Sequence, residues 1–361
     1  MRNYLLFLFL SLTMGATAQT DEQVDLKALY QEIDEAISQS PQFVAERGHQ
    51  ISACQDSFLT AKSTEERLQK AERLFLLYEP YKNDSALYYA ETCISLADSL
   101  HRSDLIGKFR SQLAFQCSSS GRYTESLEQL RLVKRSDLDK NGLCDYYNAW
   151  MHVCGELGFY TQRPDVRQRY YDLQNLYRDS VLAVADDSSE RYLHLKMDIL
   201  SARRLFQDAL ELSDEWFKKV ADNTHESAFA AFYRAMVYAN LNNHDMTCYW
   251  LGKSALDDIR CAVMNQASLL FLAERLADDG DIDRAHRYVE FTKGCNVTFC
   301  PLLRNYQVNS VVHVYEKSSQ AAQKRANTIL IVASVVIVLF IIALFYTILL
   351  IRKTKHNNNK Q

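Results

Sequence analysis

The sequence is poor in the two residues that interrupt helices, since its 361 residues include only ten glycines and four prolines. It also lacks any alternation of apolar and polar residues long enough to indicate a β-sheet. Apolar residues instead recur at helical spacing along nearly the whole chain. Because this spacing with few breakers is typical of helices, we predict an all-α protein.

The motifs of common enzyme and metal chemistries are missing as well. His225 and Glu226 are not followed by a second histidine at helical spacing, and no nucleophile elbow, phosphate-binding glycine loop or kinase signature occurs. The acidic run 278–283 lacks the spacing of a calcium loop, and no Cys/His spacing matches a zinc site. We therefore predict a non-enzyme with no catalytic residue, no cofactor and no metal site.

Charge is absent from residues 328–351, an apolar run of 24 residues. A helix of this length spans about 36 Å, which exceeds the roughly 30 Å of hydrocarbon in a bilayer. We predict a transmembrane helix at 328–351. Residues 299–327, which contain no glycine and one proline at their start, are predicted to form a juxtamembrane helix that leads into it.

The two ends of the chain predict its orientation. Residues 1–18 contain Arg2, a short apolar core and the small residues Ala16 and Ala18, a pattern typical of a signal peptide. The tail 352–361 carries four cations and no acid, which favours the cytoplasmic side. The low Gly and Pro content and the signal peptide indicate a bacterial protein. We expect a single-pass inner-membrane protein with a periplasmic main domain and a short basic cytoplasmic tail.

The exported part is acidic. Removing Arg2 and the four cations of the tail leaves 36 basic and 45 acidic residues, a net charge of −9. This excess of negative charge argues against a nucleic-acid-binding surface, so no nucleic-acid partner is predicted.

The nine cysteines are predicted to act mainly as small apolar residues. Cys295 and Cys300 are the best candidates for a disulfide, because they flank a loop before Pro301. Four others lie within apolar helical patterns, where burial is expected: Cys93, Cys117, Cys248 and Cys261.

Helix–turn–helix segments recur with a period near 40 residues. Small or apolar residues occupy equivalent positions in them with separations of 39, 83, 39 and 37, and the long gap leaves room for a degenerate unit between Tyr147 and Val184. The equivalent residues are Leu87, Ser126, Ala209, Cys248 and Ala285. This resembles the tetratricopeptide repeat, whose usual period is about 34 residues.

The resemblance implies a tetratricopeptide-like α-solenoid at 63–298, preceded by a helical pair at 19–62. Stacked helix pairs curve around a concave groove, and we expect the first helix of each pair to line it. Exposed positions on these first helices are the candidate contacts for a protein or peptide partner: Lys108, Gln112, Tyr233, Arg234, Asn240 and Glu274.

A second resemblance covers nearly the whole chain. Its most specific segment is EPYKNDSALYYAETC, which follows LKALYQEIDEAI and AERGHQISACQDSF and precedes GRYTESLEQL. In this order the segments resemble a family of Bacteroidetes membrane-anchored tetratricopeptide-repeat proteins with a regulatory role. The resemblance implies periplasmic repeats, one span, and then a cytoplasmic coiled coil and a helix-turn-helix region. The last two would begin after Lys355 and are absent from this sequence.

Two functions remain open at this point. The family resemblance implies an interaction protein similar to the sensing half of a transcriptional regulator, which binds a protein or peptide partner through the groove. The alternative is a non-signalling periplasmic scaffold for envelope or polysaccharide-uptake assemblies. Because ten residues are too few to fold alone, we expect any signal to leave through another membrane protein or a full-length relative.

Overall fold

A computed structural model describes residues 24–299 and 304–358, and within these ranges it contains 14 α-helices and no strand. The expected signal peptide at 1–18 and the candidate disulfide residue Cys300 lie outside the described residues. The helices are α1 Leu26–Thr60, α2 Thr64–Tyr78, α3 Asn83–Ser99, α4 Ser103–Ser119, α5 Tyr123–Arg131, α6 Lys140–Tyr160, α7 Pro164–Val184, α8 Glu190–Ala202, α9 Phe206–Phe217, α10 His225–Asn240, α11 His244–Arg260, α12 Ser268–Asp278, α13 Ile282–Phe299 and α14 Arg304–Asn358.

Helices α2 to α13 form six consecutive pairs, and within each pair the two helices pack on each other. Neighbouring pairs stack through contacts such as those of α4 with α6 and of α8 with α10. The all-α, tetratricopeptide-like fold predicted from the sequence is thereby confirmed. The degenerate unit expected between Tyr147 and Val184 corresponds to α6 and α7.

The small residues that revealed the repeat lie where the helices of a pair meet. Ser126, Ala209 and Cys248 are fully buried, Ala285 is 1% exposed and Leu87 is 8% exposed. A small side chain allows two helix axes to approach closely, which explains why these positions recur. Cys93 and Cys117 are buried as predicted, whereas Cys261 is half-buried.

Four pairs share the same turn after their first helix. In each, one residue has left-handed backbone geometry: Gly121 (φ 87°), Arg204 (φ 61°), Asn242 (φ 55°) and Gly280 (φ 89°). The amide of the following residue bonds to the carbonyl five residues before it, as from Asp281 to Leu276 at 2.9 Å. This is the Schellman ending of a helix, in which glycine is favoured because it has no Cβ.

We expect Gly280→Ala to lower the free energy of unfolding by about 1 kcal/mol, and Arg204→Gly to raise it by about 0.5–1 kcal/mol. A Cβ at position 280 would meet nothing within 4 Å, so the effect comes from the left-handed backbone alone. Urea unfolding of the detergent-solubilised chain, followed by circular dichroism, measures both changes. Effects of the same sign for the two variants would contradict this account of the turns.

The segment 19–62, for which a helical pair was predicted, contains instead the single long helix α1. Pro41 lies inside α1 and removes one backbone hydrogen bond, which normally weakens a helix. Packing on both sides of the proline compensates for this loss. Leu29 and Ile33 are buried against α11–α13, and Ile51 is buried against α2 and α3.

Helix α1 thus joins the last helix pairs to the first, and the superhelix closes on itself. The Arg47 side chain donates to the carbonyl of Cys261 at 2.7 Å, and the Met264 amide donates to the carbonyl of Pro80 at 2.8 Å. Gly252 lets α1 approach α11, since a Cβ there would lie 2.7 Å from the Cδ2 atom of Leu29. This closure encloses the inner surface of the repeats.

Helix α14 continues from Arg304 without a break to Asn358 and contacts α12 and α13. Its segment Gln323–Ile351 contains an 18-residue window with a mean hydropathy of 3.2, and this window is not buried against the rest of the protein. Within the described ranges it is the one helix long and apolar enough to cross a membrane. The predicted juxtamembrane segment 299–327 begins at the end of α13, because Phe299 still belongs to that helix.

Candidate functional site

Charged side chains from distant parts of the chain meet on the inner surface of the closed superhelix. We call this set the acidic cavity: Glu79, Asp145, Glu190, Arg191, Asp198, His225 and Asp258. Glu79, at the end of α2, is close enough to interact electrostatically with Asp145 and His225. Five helices, α2, α6, α8, α10 and α11, therefore contribute to one site.

Helix α8 supplies the largest share of the acidic cavity. The side chain of Ser189 caps this helix by accepting a hydrogen bond from the Tyr192 amide, which places Glu190 and Arg191 in the first turn. Asp198 lies two turns further along the same face, because residues seven or eight apart align on a helix. One helix face thus carries two carboxylates and a guanidinium into the cavity.

Helix α10 lies beside α8 and completes this wall. Thr224 and Ser227 form a reciprocal capping box at its start, which fixes His225 in the first turn. Two turns later, the Tyr233 ring stacks on His194 of α8, with ring centroids 4.8 Å apart and planes 15° apart. Stacked rings hold the two helices in register.

A ladder of polar contacts runs along the first helices of the pairs. Lys108 donates to Glu72 at 2.7 Å, and Gln112 donates to Asp145 at 3.0 Å. Asp145 also accepts from Arg191 at 2.7 Å. At the other end, His225 Nδ1 lies 2.8 Å from a carboxylate oxygen of Asp258. These contacts link α2, α4, α6 and α8, and separately α10 and α11.

Enclosure by the surrounding protein raises the pKa of several cavity carboxylates, although solvent still reaches them. Burial raises the pKa of Glu79 and Glu190, and it raises the pKa of Asp198 to about 6. Burial alone would lower the pKa of His225, but its hydrogen bond and attraction to Asp258 outweigh that effect and raise it. The His225 side chain is 43% exposed, so the site is open to solvent.

The negative charge of the acidic cavity is only partly neutralised. Among the described residues, ion pairs join Arg191 to Asp145 and His225 to Asp258. Glu79, Glu190 and Asp198 form no ion pair at contact distance within that part of the chain. A pocket of ≈ 350 Å³ opens between α6 and α8, with Asp145, Glu190 and Arg191 in its lining. The arrangement suits a ligand that brings positive charge and hydrogen-bond donors.

The six candidate groove residues lie in different parts of the structure, and three of them line or border the inner surface. Lys108 and Gln112 belong to the inner ladder, and Tyr233 borders the acidic cavity. Arg234 does not face the cavity, because adjacent helical residues point about 100° apart. It forms an ion pair with Asp214 of α9 and lies 4.7 Å from the Trp250 ring of α11.

The other two candidates lie outside the contacts of the acidic cavity. Asn240 is exposed at the end of α10, where it donates to the carbonyl of Met236 at 3.0 Å. Glu274 is half-buried on α12. The cavity carboxylates are not among the residues predicted from the sequence. For Glu190 and Asp198 the sequence does hold a signal, because they share one face of a first helix with Arg191. Lys108 and Gln112 share the corresponding face of α4.

A family model for the SusR N-terminal TPR domain matches residues 37–331 of this chain. The match includes all six helix pairs and every residue of the acidic cavity. The chain belongs to the SusR N-terminal TPR domain family. A comparison with curated proteins returned no match. Membership of the SusR TPR family accords with a role in protein interaction or sensing, and it confirms the family resemblance in the sequence.

Proposed function

We propose that this chain is a membrane-anchored periplasmic interaction protein, similar to the sensing half of a transcriptional regulator. Its acidic cavity binds a basic segment of a protein or peptide partner. The observation that carries this proposal is a group of carboxylates on the inner surface that form no contact ion pair with any described residue: Glu79, Glu190 and Asp198. A lysine or arginine of the partner would supply the positive charge that the cavity lacks.

The site supports binding better than catalysis. Four of its charged groups pair with each other, Arg191 with Asp145 and His225 with Asp258, and these pairs hold the wall of the cavity in place. The remaining carboxylates can face complementary charges of a partner, which orients it and sets its charge specificity. Repeat solenoids present extended inner surfaces for such binding.

Helix α14 favours a sensing role over a passive scaffold. It contacts α12 and α13 of the last pair and continues without a break through the apolar segment. A displacement of the last pair on partner binding would therefore move a continuous helix. The scaffold alternative needs only an anchor, and it gives no reason for contacts between the repeats and this helix.

The proposed topology makes an all-or-none prediction. A reporter enzyme that is active only outside the cytoplasm should be active when fused after Arg325 and inactive when fused after Gln361. The reason is that residues 328–351 would lie between the two fusion points and span the inner membrane. Reporter activity in colonies measures both fusions, and a cytoplasm-only reporter at the same sites is the control. The reverse pattern would contradict the periplasmic placement.

Photo-crosslinking in membranes tests the proposed function. A photoreactive residue at position 198, inside the acidic cavity, should capture a partner segment rich in lysine or arginine. The same photoreactive residue at the exposed position 215 of α9 should not capture it. Deletion of the protein should also change transcription of a limited set of genes. Capture at both positions alike would contradict the cavity as the binding site, and an unchanged transcript profile would favour the scaffold.

A further inference from the structure

Three potential metal ligands converge at the end of the last two helix pairs, outside the acidic cavity. His244 and Cys248 lie one turn apart on α11, and Asp279 follows α12 in the turn before α13. The Nε2 atom of His244 is 3.5 Å from the Sγ atom of Cys248 and 2.8 Å from a carboxylate oxygen of Asp279. All three ligand atoms lie within 4.8 Å of one another.

The nitrogen–sulfur separation is close to that of a tetrahedral zinc site, and a shift of the carboxylate would complete the geometry. With Zn–S near 2.3 Å and Zn–N near 2.0–2.1 Å, a tetrahedral angle places sulfur and nitrogen about 3.5 Å apart, as they are here. The corresponding nitrogen–oxygen separation is about 3.3 Å, so the carboxylate would move outward by about half an ångström. Asp279 has room for this movement because its side chain is 46% exposed.

The surroundings suit a divalent cation with one open position. Cys248 is fully buried, while the side chains of His244 and Asp279 remain exposed, which leaves an entry path from solvent. Asp245 adds negative charge near the thiol and Arg275 adds positive charge, so these two neighbours offset each other. Thiol, imidazole and carboxylate together form the ligand set that zinc accepts.

We propose that His244, Cys248 and Asp279 bind a zinc ion, with water or an external group as the fourth ligand. On binding, the Cys248 thiol releases its proton to solvent and coordinates as a thiolate, and neutral His244 coordinates through Nε2. The ion replaces the hydrogen bond between His244 and Asp279. No electron transfer is involved.

The zinc site would clamp the region where the superhelix closes. It joins the start of α11 to the turn between α12 and α13. Tyr30 of α1 and Cys248 belong to the same buried cluster, so the site also borders the docked N-terminal helix. Bound zinc would therefore strengthen the contact between the last two helix pairs and α1.

Cobalt titration of the full-length chain in detergent micelles tests the site. After removal of metals with a chelator, we expect Co²⁺ to bind one ion per chain, with a thiolate-to-cobalt charge-transfer band that Zn²⁺ abolishes by displacement. Cys248→Ala should eliminate the band. This variant should fold, because Ala209 and Ala285 occupy the equivalent position in other pairs. Asp279→Asn should weaken Co²⁺ binding at least about tenfold, since even second-shell changes cost 10–100-fold.

Two matched variants serve as controls. Cys261→Ala removes a more accessible cysteine, and Asp278→Asn removes the neighbouring exposed carboxylate; neither should change the titration. Absence of the band in the unaltered chain would overturn the proposal. So would a band that survives Cys248→Ala, or one that Cys261→Ala removes instead.

Discussion

The substitution Ile33→Asp is expected to detach α1 from the last helix pairs and to split the unfolding of the repeat domain into two transitions. The Ile33 side chain is fully buried in an apolar cluster shared by α1, α11, α12 and α13. Truncating a buried isoleucine to alanine costs about 2–5 kcal/mol, and burying an unpaired carboxylate costs more. We therefore expect the helix to undock before the repeats unfold.

The reason for two transitions lies in the architecture of repeat proteins. Each helix pair contacts only its neighbours, so a repeat array can unfold in parts. Helix α1 adds contacts between the first and last pairs, as between Arg47 and the carbonyl of Cys261. These contacts couple the two ends into one cooperative unit. Their loss should allow the last pairs to unfold at lower denaturant concentration than the first.

Urea unfolding of the detergent-solubilised chain, with hydrogen exchange by mass spectrometry, measures this effect. Peptides from the first half of α1 and from α11 should lose protection in Ile33→Asp. The control is Gln31→Asp, which introduces the same side chain at an exposed position of α1. A single transition with unchanged midpoint in Ile33→Asp would show that α1 is not required for cooperativity.

The repeat architecture was predictable because its signals are local and periodic. Ala209 and Ala285 mark the same helix–helix contact in two pairs, and a period near 40 residues follows from a few such positions. The helical pair predicted for 19–62 is instead one helix, with Pro41 inside it. Proline favours a helix break in isolation, but tertiary packing of Leu29 and Ile51 on either side holds α1 as one helix.

The functional groups were less predictable because they depend on closure of the superhelix. Glu79 and His225 meet only when the repeats curve through most of a turn, and no local pattern encodes that curvature. The metal-site residues His244 and Asp279 are 35 positions apart and belong to different pairs. The turns were only partly predictable as well. Gly280 indicates a left-handed residue after a helix, but in another pair Arg204 holds the same left-handed position, and arginine gives no such signal.

Charge reversal in the acidic cavity should have the largest effect on partner binding. We expect the double variant Glu190→Lys/Asp198→Lys to weaken the binding of a lysine- and arginine-rich peptide by about a hundredfold or more, because like charges facing each other cost several kcal/mol. Both side chains are exposed within the cavity, so the fold should tolerate the change. Fluorescence anisotropy with the labelled peptide, and with a glutamate-rich counterpart, measures the affinities.

Acidification should weaken the same interaction. The pKa of Asp198 is raised to about 6, so this carboxylate is charged at neutral pH and loses its charge as the pH falls through 6. The pKa of His225 is raised as well, so its imidazole gains positive charge at a higher pH than an ordinary histidine does. Both changes make the cavity less negative, and affinity for the basic peptide should fall between about pH 7.5 and about pH 5. The variant Asp198→Asn should reduce this dependence.

A matched reversal on the outer helix separates cavity binding from general electrostatic attraction. Glu211→Lys/Glu215→Lys makes the same change in net charge at exposed positions of α9. If attraction is spread over the acidic domain, this control weakens peptide binding as much as the cavity variant does, and the effect of both disappears at high salt. If the acidic cavity is the site, the control retains most of the affinity. In that case only Glu190→Lys/Asp198→Lys gains affinity for the glutamate-rich peptide.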